Sequence, residues 1–194
     1  MNRRSLLTLT LTLFTATVAA AQSSTWTIDK NHSQANFQIR HLAVSNVRGS
    51  ISGVTGTIIW DEKDISKSSV TAILDANTVN TSTEARDTHL KGADFFNVEK
   101  FPTIPFKSTS VTGTPGKLKI VGDLTLAGVT KSVVLDVDGP SVPVKGPGGK
   151  MVTGFSATGV IKRSDFNFAT AYAGSAALGD EVKFTLDLEA AKQP

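Results

Sequence analysis

The sequence predicts an all-β protein with one short helix, folded as an antiparallel sandwich or barrel. From Trp26 onward, apolar residues alternate with polar ones in short runs, and Gly, Pro, Asn and Asp separate these runs. Alternation with a period of two is typical of strands that bury one face. Regularly spaced short strands with turns between them favour an antiparallel arrangement over a parallel sheet with helical connections.

About eight strands follow from this pattern. In the first clear one, Ala35, Phe37 and Ile39 share a face. Other apolar faces are formed by Val70, Ala72 and Leu74; by Leu118, Ile120, Leu124 and Leu126; by Val133, Leu135 and Val137; and by Val182, Phe184, Leu186 and Leu188. Residues 50–60, 104–111 and 151–162 complete the set, with a hairpin turn expected at residues 113–116 and a longer loop at residues 139–149.

One segment departs from the strand pattern. Residues 82–91 contain few β-formers, and a Ser or Thr in cap position precedes the acidic Glu84. Such a cap with an acid in the first turn predicts a short helix, followed here by the apolar pair Phe95 and Phe96.

The N-terminus predicts export. Arg3 and Arg4 precede an apolar, threonine-containing stretch, and Ala19–Ala21 supplies the small residues of a cleavage site. This three-part pattern is that of a signal peptide covering residues 1–21, with a single domain over residues 22–194. An uncleaved membrane anchor is the alternative, although the stretch is short and threonine-rich for a span. The paired arginines leave the choice between general secretory and twin-arginine export open.

Composition excludes several classes of function. Loss of the signal peptide removes two arginines and no acid, so the formal charge of +3 falls to +1. A near-neutral domain without a basic stripe is not expected to bind nucleic acid. The chain has no cysteine, which rules out disulfides and thiolate metal sites.

Several ordered stretches resemble the YceI-like, or polyisoprenoid-binding, family of bacterial proteins. They are Trp26–Asp29 with His32–Ser33, Phe37–Leu42, Arg86–Leu90 with Asp94–Phe96, Phe101–Ile104, Gly122–Lys131, Arg163–Phe166 and Gly179–Val182. The resemblance covers residues 26–190. Asn167 is a departure, because the family usually has glycine there; asparagine tolerates a left-handed backbone better than most residues.

The resemblance implies an eight-stranded, lipocalin-like antiparallel barrel around an elongated apolar cavity. It implies a periplasmic or secreted protein that carries an isoprenoid or other long-chain lipid, such as a polyprenyl phosphate, a quinone-like molecule or a fatty chain. The resemblance implies no settled enzymatic activity, so the protein is not expected to be an enzyme, and neither a cofactor nor a metal is expected. A homodimer remains open.

Apolar and aromatic residues are the candidates for lining such a cavity. They are Phe37, Ile39, Phe95, Phe96, Phe106, Leu124, Leu126, Phe155 and Phe166. Small residues such as Gly122, Gly154, Ser156 and Thr158 on the same strands would leave room beside them. An ordinary filled core is the alternative, because eight strands enclose either packed side chains or one slender ligand.

The polar head of a ligand would need hydrogen-bond donors. Arg40, His41, Arg86 and His89 are the candidates, since arginine and histidine bind phosphate, phenol or carbonyl groups. Asp87 and His32 are expected to be structural, and Arg163 with Asp165 to form a surface ion pair. A periplasmic metal enzyme that uses His32, His41 and His89 is one rival hypothesis. A β-rich adhesion or scaffold module is another.

Overall fold

The computed structural model of the protein describes residues 23–194, so the predicted signal peptide lies outside the described residues. Within this range the strands are β1 (Ser23–Ile28), β2 (Gln34–His41), β3 (Ser45–Ile51), β4 (Thr55–Asp61), β5 (Ser69–Asp75), β6 (Thr103–Thr114), β7 (Lys117–Leu126), β8 (Val129–Asp138), β9 (Val144–Lys145), β10 (Met151–Lys162) and β11 (Leu178–Lys192). The α-helix, α1, covers Glu84–Lys91.

The sheet closes on itself. Its order includes β11-β1-β4-β5-β6-β7-β8-β10, and a long antiparallel pairing of β10 with β11 joins the two ends. These eight strands form a closed antiparallel barrel, as predicted. Closure leaves the strands of the ring without free edges, so their backbone groups are paired within the barrel.

The 15-residue strand β11 organises the closure. One edge pairs with β10, and the other pairs first with β2 through residues 178–187 and then with β1 through residues 190–192. β1 and β2 therefore lie one after the other along the same edge. β3 continues the sheet beyond β2, and the β2–β3 hairpin extends the wall of the barrel at one end.

The strand registers define two ends of the barrel. At the helix end lie the β2–β3 turn, the chain between β10 and β11, and the β7–β8 turn, where the Phe101 ring packs against Gly128. At the opposite loop end lie the β6–β7 turn, at the predicted residues, and the long connection from β8 to β10. No helix within residues 23–194 has the length and apolar character to cross a membrane.

Alternation places the predicted apolar faces inside the barrel. On β10, Phe155 and Ala157 are buried and face inward, whereas Ser156 and Thr158 are exposed. The expectation that Gly154, Ser156 and Thr158 leave room inside is therefore wrong, because the side chains of a strand change face at every residue. Ala157 and, two residues further on, Gly159 are small inward residues of this strand.

Glycines on neighbouring strands receive phenylalanine rings. A Cβ placed on Gly122 would lie 2.4 Å from Cζ of Phe106, and one on Gly159 would lie equally close to Cζ of Phe184. The rings therefore lie across glycine backbone. Gly122 supplies room, as predicted, but Phe106 occupies it.

The start of α1 and the turn after β10 lie where the sequence predicts them. α1 begins after Thr83, within one turn of the predicted start, but the Thr83 hydroxyl makes no capping bond to the backbone. It accepts a hydrogen bond from Arg86 instead. Asn167 adopts the left-handed conformation (φ 53°) that glycine would favour, so the turn after β10 is kept.

Candidate functional site: an apolar cavity in the barrel

The barrel encloses a cavity of about 230 Å³. Its wall contains inward residues from nearly every strand of the ring, together with residues of α1 and the following segment. All the lining residues are apolar except Asn36, Ser68, Ser69 and Arg163. A water molecule in such a space would have almost no hydrogen-bond partners. A hydrocarbon forms no hydrogen bonds in water, so it loses none on entering the cavity.

Most of the predicted lining residues lie on this wall. They are Phe37, Ile39, Phe95, Phe96, Phe106, Leu124, Leu126 and Phe155. Val182, Phe184, Leu186 and Leu188 of β11 also line it, although the sequence pattern was used only to predict a strand from them. Their alternation with Lys183 and Asp187 was the signal that could have added them to the site.

Phe166 is placed elsewhere. It belongs to the one-turn 3₁₀ helix Arg163–Phe166, is only 2% exposed, and packs into the core without lining the cavity. The reason is geometric: the chain leaves the barrel wall after β10, so the strand alternation no longer determines the direction of this side chain. Phe168, two residues further on, lines the cavity instead.

An aromatic cluster lies at the helix end of the barrel. Phe95 packs against His89 (ring centroids 4.9 Å apart), Phe168 and Tyr172 (both 5.8 Å). Phe95 also lines a second, polar pocket of about 180 Å³, which Asp94, Asn97, Asn167 and Thr170 share. One buried ring therefore separates the apolar cavity from a polar pocket outside it.

Arg86 and Asp87 fasten α1 to the chain before it. The Arg86 guanidinium donates to the Thr81 hydroxyl (2.7 Å) and the Thr81 carbonyl (2.9 Å), and Thr81 N–H donates to the Asp87 carboxylate (2.8 Å). Burial raises the pKa of Asp87, but the Thr81 hydrogen bonds and the Arg86 charge outweigh it, so the pKa lies below its ordinary value. The structural role expected for Asp87 fits this geometry, and Arg86 shares it.

Arg40 forms its hydrogen bonds within the β2–β3 hairpin. Its guanidinium donates to the Ala43 carbonyl (3.2 Å) and to the Asn46 side chain (3.4 Å), across the β2–β3 turn. His41 is exposed at the end of β2, opposite Leu178 of the cavity wall. His89, which contacts Phe95, lies against the aromatic cluster, and among the predicted head-group residues it is the one beside the polar pocket.

Arg163 differs most from its predicted place. It is only 4% exposed, and its guanidinium donates to five backbone carbonyls, those of Phe168, Ala169, Tyr172, Leu178 and Gly179, at 2.8–3.2 Å. The surface ion pair with Asp165 is therefore wrong. All five guanidinium N–H groups are used, which lets a charged side chain remain inside.

The three histidines do not assemble into a metal triad. Among residues 23–194, the cluster of metal-ligating side chains contains His32 with Asp29 and Glu189, and neither His41 nor His89 belongs to it. The His32 Nδ1 lies 2.8 Å from the Asp29 carboxylate and 3.7 Å from that of Glu189. This is an exposed charge cluster that holds the β1–β2 connection to β11.

His32 supplies a test of pH dependence. Its hydrogen bond with Asp29 raises the pKa above the ordinary 6.5, and the charges of Asp29 and Glu189 add to the effect. The folded-state pKa exceeds the unfolded one, so the stabilisation is full below the unfolded pKa and is lost as pH rises through the folded pKa. We expect an NMR titration to give His32 a pKa above 6.5 that falls in Asp29→Asn. Asp64→Asn, at a distant turn, is the control; an unchanged His32 pKa in Asp29→Asn would contradict the assignment.

The sequence and the fold have counterparts among known proteins. A sequence model described as the YceI-like domain matches residues 26–190. The protein YceI of Salmonella newport is 37% identical over 193 residues, which cover 98% of this chain and 99% of that protein.

Solved structures show the same fold. The YCEI protein of Campylobacter jejuni superposes with a TM-score of 0.68 at 34% identity, covering 80% of this chain and 90% of that one. A polyisoprenoid binding domain from Saccharophagus degradans gives a TM-score of 0.64 at 15% identity, covering 87% of this chain and 98% of that one. The second likeness concerns the fold alone.

Proposed function

The chain belongs to the YceI-like family, and from this premise we propose that it is an exported carrier that binds a long isoprenoid or fatty chain inside its barrel. The observation that carries the proposal is the cavity of about 230 Å³ with an almost entirely apolar wall. Burial of apolar surface there contributes about 25 cal/mol per Å², so a long chain gains affinity without any polar contact. The polyisoprenoid binding domain of Saccharophagus degradans, with the same fold, supports an isoprenoid as the guest.

The direct test is to identify the guest. Protein purified without detergent is extracted with organic solvent, and the extract and the intact protein are analysed by mass spectrometry. We expect a co-purifying lipid with an isoprenoid or acyl chain. A protein that releases no lipid and also fails to bind added polyprenols would refute the proposal.

A charge inside the cavity provides a variant test. Leu124→Asp places a polar carboxyl group on the almost entirely apolar wall, which disfavours an apolar guest, so uptake of a fluorescent apolar probe should be lost. Val134→Asp is the matched control, because Val134 is exposed on the neighbouring strand β8. Probe uptake that survives in a folded Leu124→Asp protein would show that the guest does not occupy this cavity.

The polar end of the guest is assigned to the helix end. Arg40 and Arg86 already donate to protein acceptors. The pocket beyond Phe95 is lined by Asp94 with neutral amides and hydroxyls, and the imidazole nearest to it, that of His89, lies 4.0 Å from the Asp94 carboxylate. We therefore expect an isoprenoid alcohol such as farnesol to bind more tightly than farnesyl phosphate, which Asp94 repels.

Competition with the fluorescent probe measures this preference. Asp94→Asn should reduce the difference in affinity between farnesol and farnesyl phosphate. Asp138→Asn, at the loop end, should leave this difference in affinity unchanged. Tighter binding of farnesyl phosphate than of farnesol by the wild type would contradict this assignment and favour the predicted residues Arg40, His41, Arg86 and His89 as the head-group site.

Export is the remaining part of the proposal. It is supported by the signal-peptide pattern of residues 1–21. Mass spectrometry of the protein from a periplasmic fraction should give a chain that starts at Gln22. A protein found only in the cytoplasm with residues 1–21 intact would contradict export.

A further inference from the structure

The turn between β2 and β3 exposes apolar side chains on a strained backbone. Leu42 and Ala43 both have positive φ angles (51° and 59°), and the Val44 N–H donates to the His41 carbonyl to close the turn. A hairpin turn with two left-handed residues normally selects Asn-Gly, because other side chains are strained there. Here the turn holds Leu42 and Val44 in solvent, 53% and 75% exposed. Strain kept at an exposed tip is typical of a functional surface.

The strands that carry this tip have a net positive charge, because the nearest acids, Asp180 and Glu181 of β11, are outnumbered by Arg40, Arg48 and Lys183 on the paired strands. The sequence has no Asp or Glu between Asp29 and Asp61, a stretch that contains Arg40, His41 and Arg48. The Leu42 N–H donates to the Ala177 carbonyl, so the tip lies against the chain that joins β10 to β11. From residue 166 to residue 179 that chain has no charged side chain.

The tip is continuous with the cavity wall. Ile39 and Leu178 both line the cavity, and Leu178 pairs with His41 at the end of β2. The inner surface of the barrel therefore reaches the strands that carry the exposed tip.

We infer that the tip Leu42–Val44, with the cations Arg40 and Arg48, docks onto an anionic lipid bilayer. Apolar side chains enter the interface between head groups and acyl chains, and each nearby basic residue adds attraction to anionic lipid. Docking brings the helix end of the cavity to the membrane from which a lipid guest is drawn, and this last step rests on the proposed function. Exposed valines at Val142 and Val144 are less favoured, since neither of them lines the cavity.

Vesicle flotation of the protein comprising residues 23–194 tests the inference. The probes are vesicles of phosphatidylcholine alone and of an equal mixture of phosphatidylcholine and phosphatidylglycerol. Wild-type protein should float with the anionic vesicles and less so at high salt. Leu42→Asn with Val44→Ser should reduce the bound fraction about tenfold, as expected for losing apolar insertion. Because asparagine tolerates the left-handed backbone, this variant should remain at least as stable as the wild type.

Val142→Ser with Val144→Ser is the matched control at the loop end, and it should float like the wild type. Wild-type protein that floats with neither kind of vesicle would overturn the inference. Loss of flotation in the control variant alone would also overturn it. So would a wild-type dimer that the Leu42→Asn, Val44→Ser variant converts to a monomer without any change in flotation, since a second copy would then cover the tip. Uptake of the apolar probe in vesicle-free solution separates the two proposals: docking without uptake refutes the carrier function and leaves docking intact.

Discussion

Replacement of Arg163 by alanine should lower the free energy of unfolding by about 3–5 kcal/mol, a large effect for a single substitution. The side chain is buried, and its guanidinium is the shared donor to five carbonyls, three in the segment between β10 and β11 and two at the start of β11. Removing it leaves these acceptors without their shared donor and frees the segment from the barrel wall. Urea unfolding followed by circular dichroism measures the loss.

Arg163→Lys distinguishes the hydrogen bonds from the charge. Lysine keeps the positive charge but offers three donors from one point, which cannot reach carbonyls arranged around a planar fork. We therefore expect Arg163→Lys to recover only a small part of the stability. Lys162→Ala, the exposed neighbour, should change it by less than about 0.5 kcal/mol. An Arg163→Ala protein as stable as the wild type would mean that the carbonyls are satisfied without the guanidinium.

Arg163 also shows a limit of sequence reasoning. An arginine two residues before an aspartate suggests a surface pair, and only the folded chain shows that its acceptors are main-chain carbonyls. Residue identity carries no information about which carbonyls converge on a point. The absence of charged residues from 166 to 179 was the available signal, because no carboxylate in that stretch can pair with Arg163.

The strands were predictable for a simple reason. Alternation reports which face is buried wherever a strand stays in the barrel wall, so Phe37, Leu124 and Phe155 lie on the cavity as predicted. The same reasoning failed for Phe166, which follows the end of β10. Closure could not be derived from local pattern either, because the pairing of β11 with both β1 and β2 depends on register between distant segments.

Filling the cavity should abolish binding of the guest without loss of stability, the second large effect. Ala157 lies on β10, is 6% exposed and lines the cavity. Ala157→Phe extends a benzyl group into the space that a guest would occupy. Affinity of the lipid-free protein for an apolar probe should fall at least about tenfold, which corresponds to 1.4 kcal/mol.

The change in stability decides how the interior should be interpreted. If the interior is a lined cavity, the new ring buries apolar surface that would otherwise face a void, and the free energy of unfolding stays equal or rises. If the interior were a filled core, the same ring would overpack it and cost about 1–3 kcal/mol. Thr158→Phe, on the exposed face of β10, is the control and should leave both probe binding and stability near the wild type. Lower stability with unchanged probe affinity in Ala157→Phe would be the signature of a core without a guest, because a ligand bound elsewhere does not sense this position.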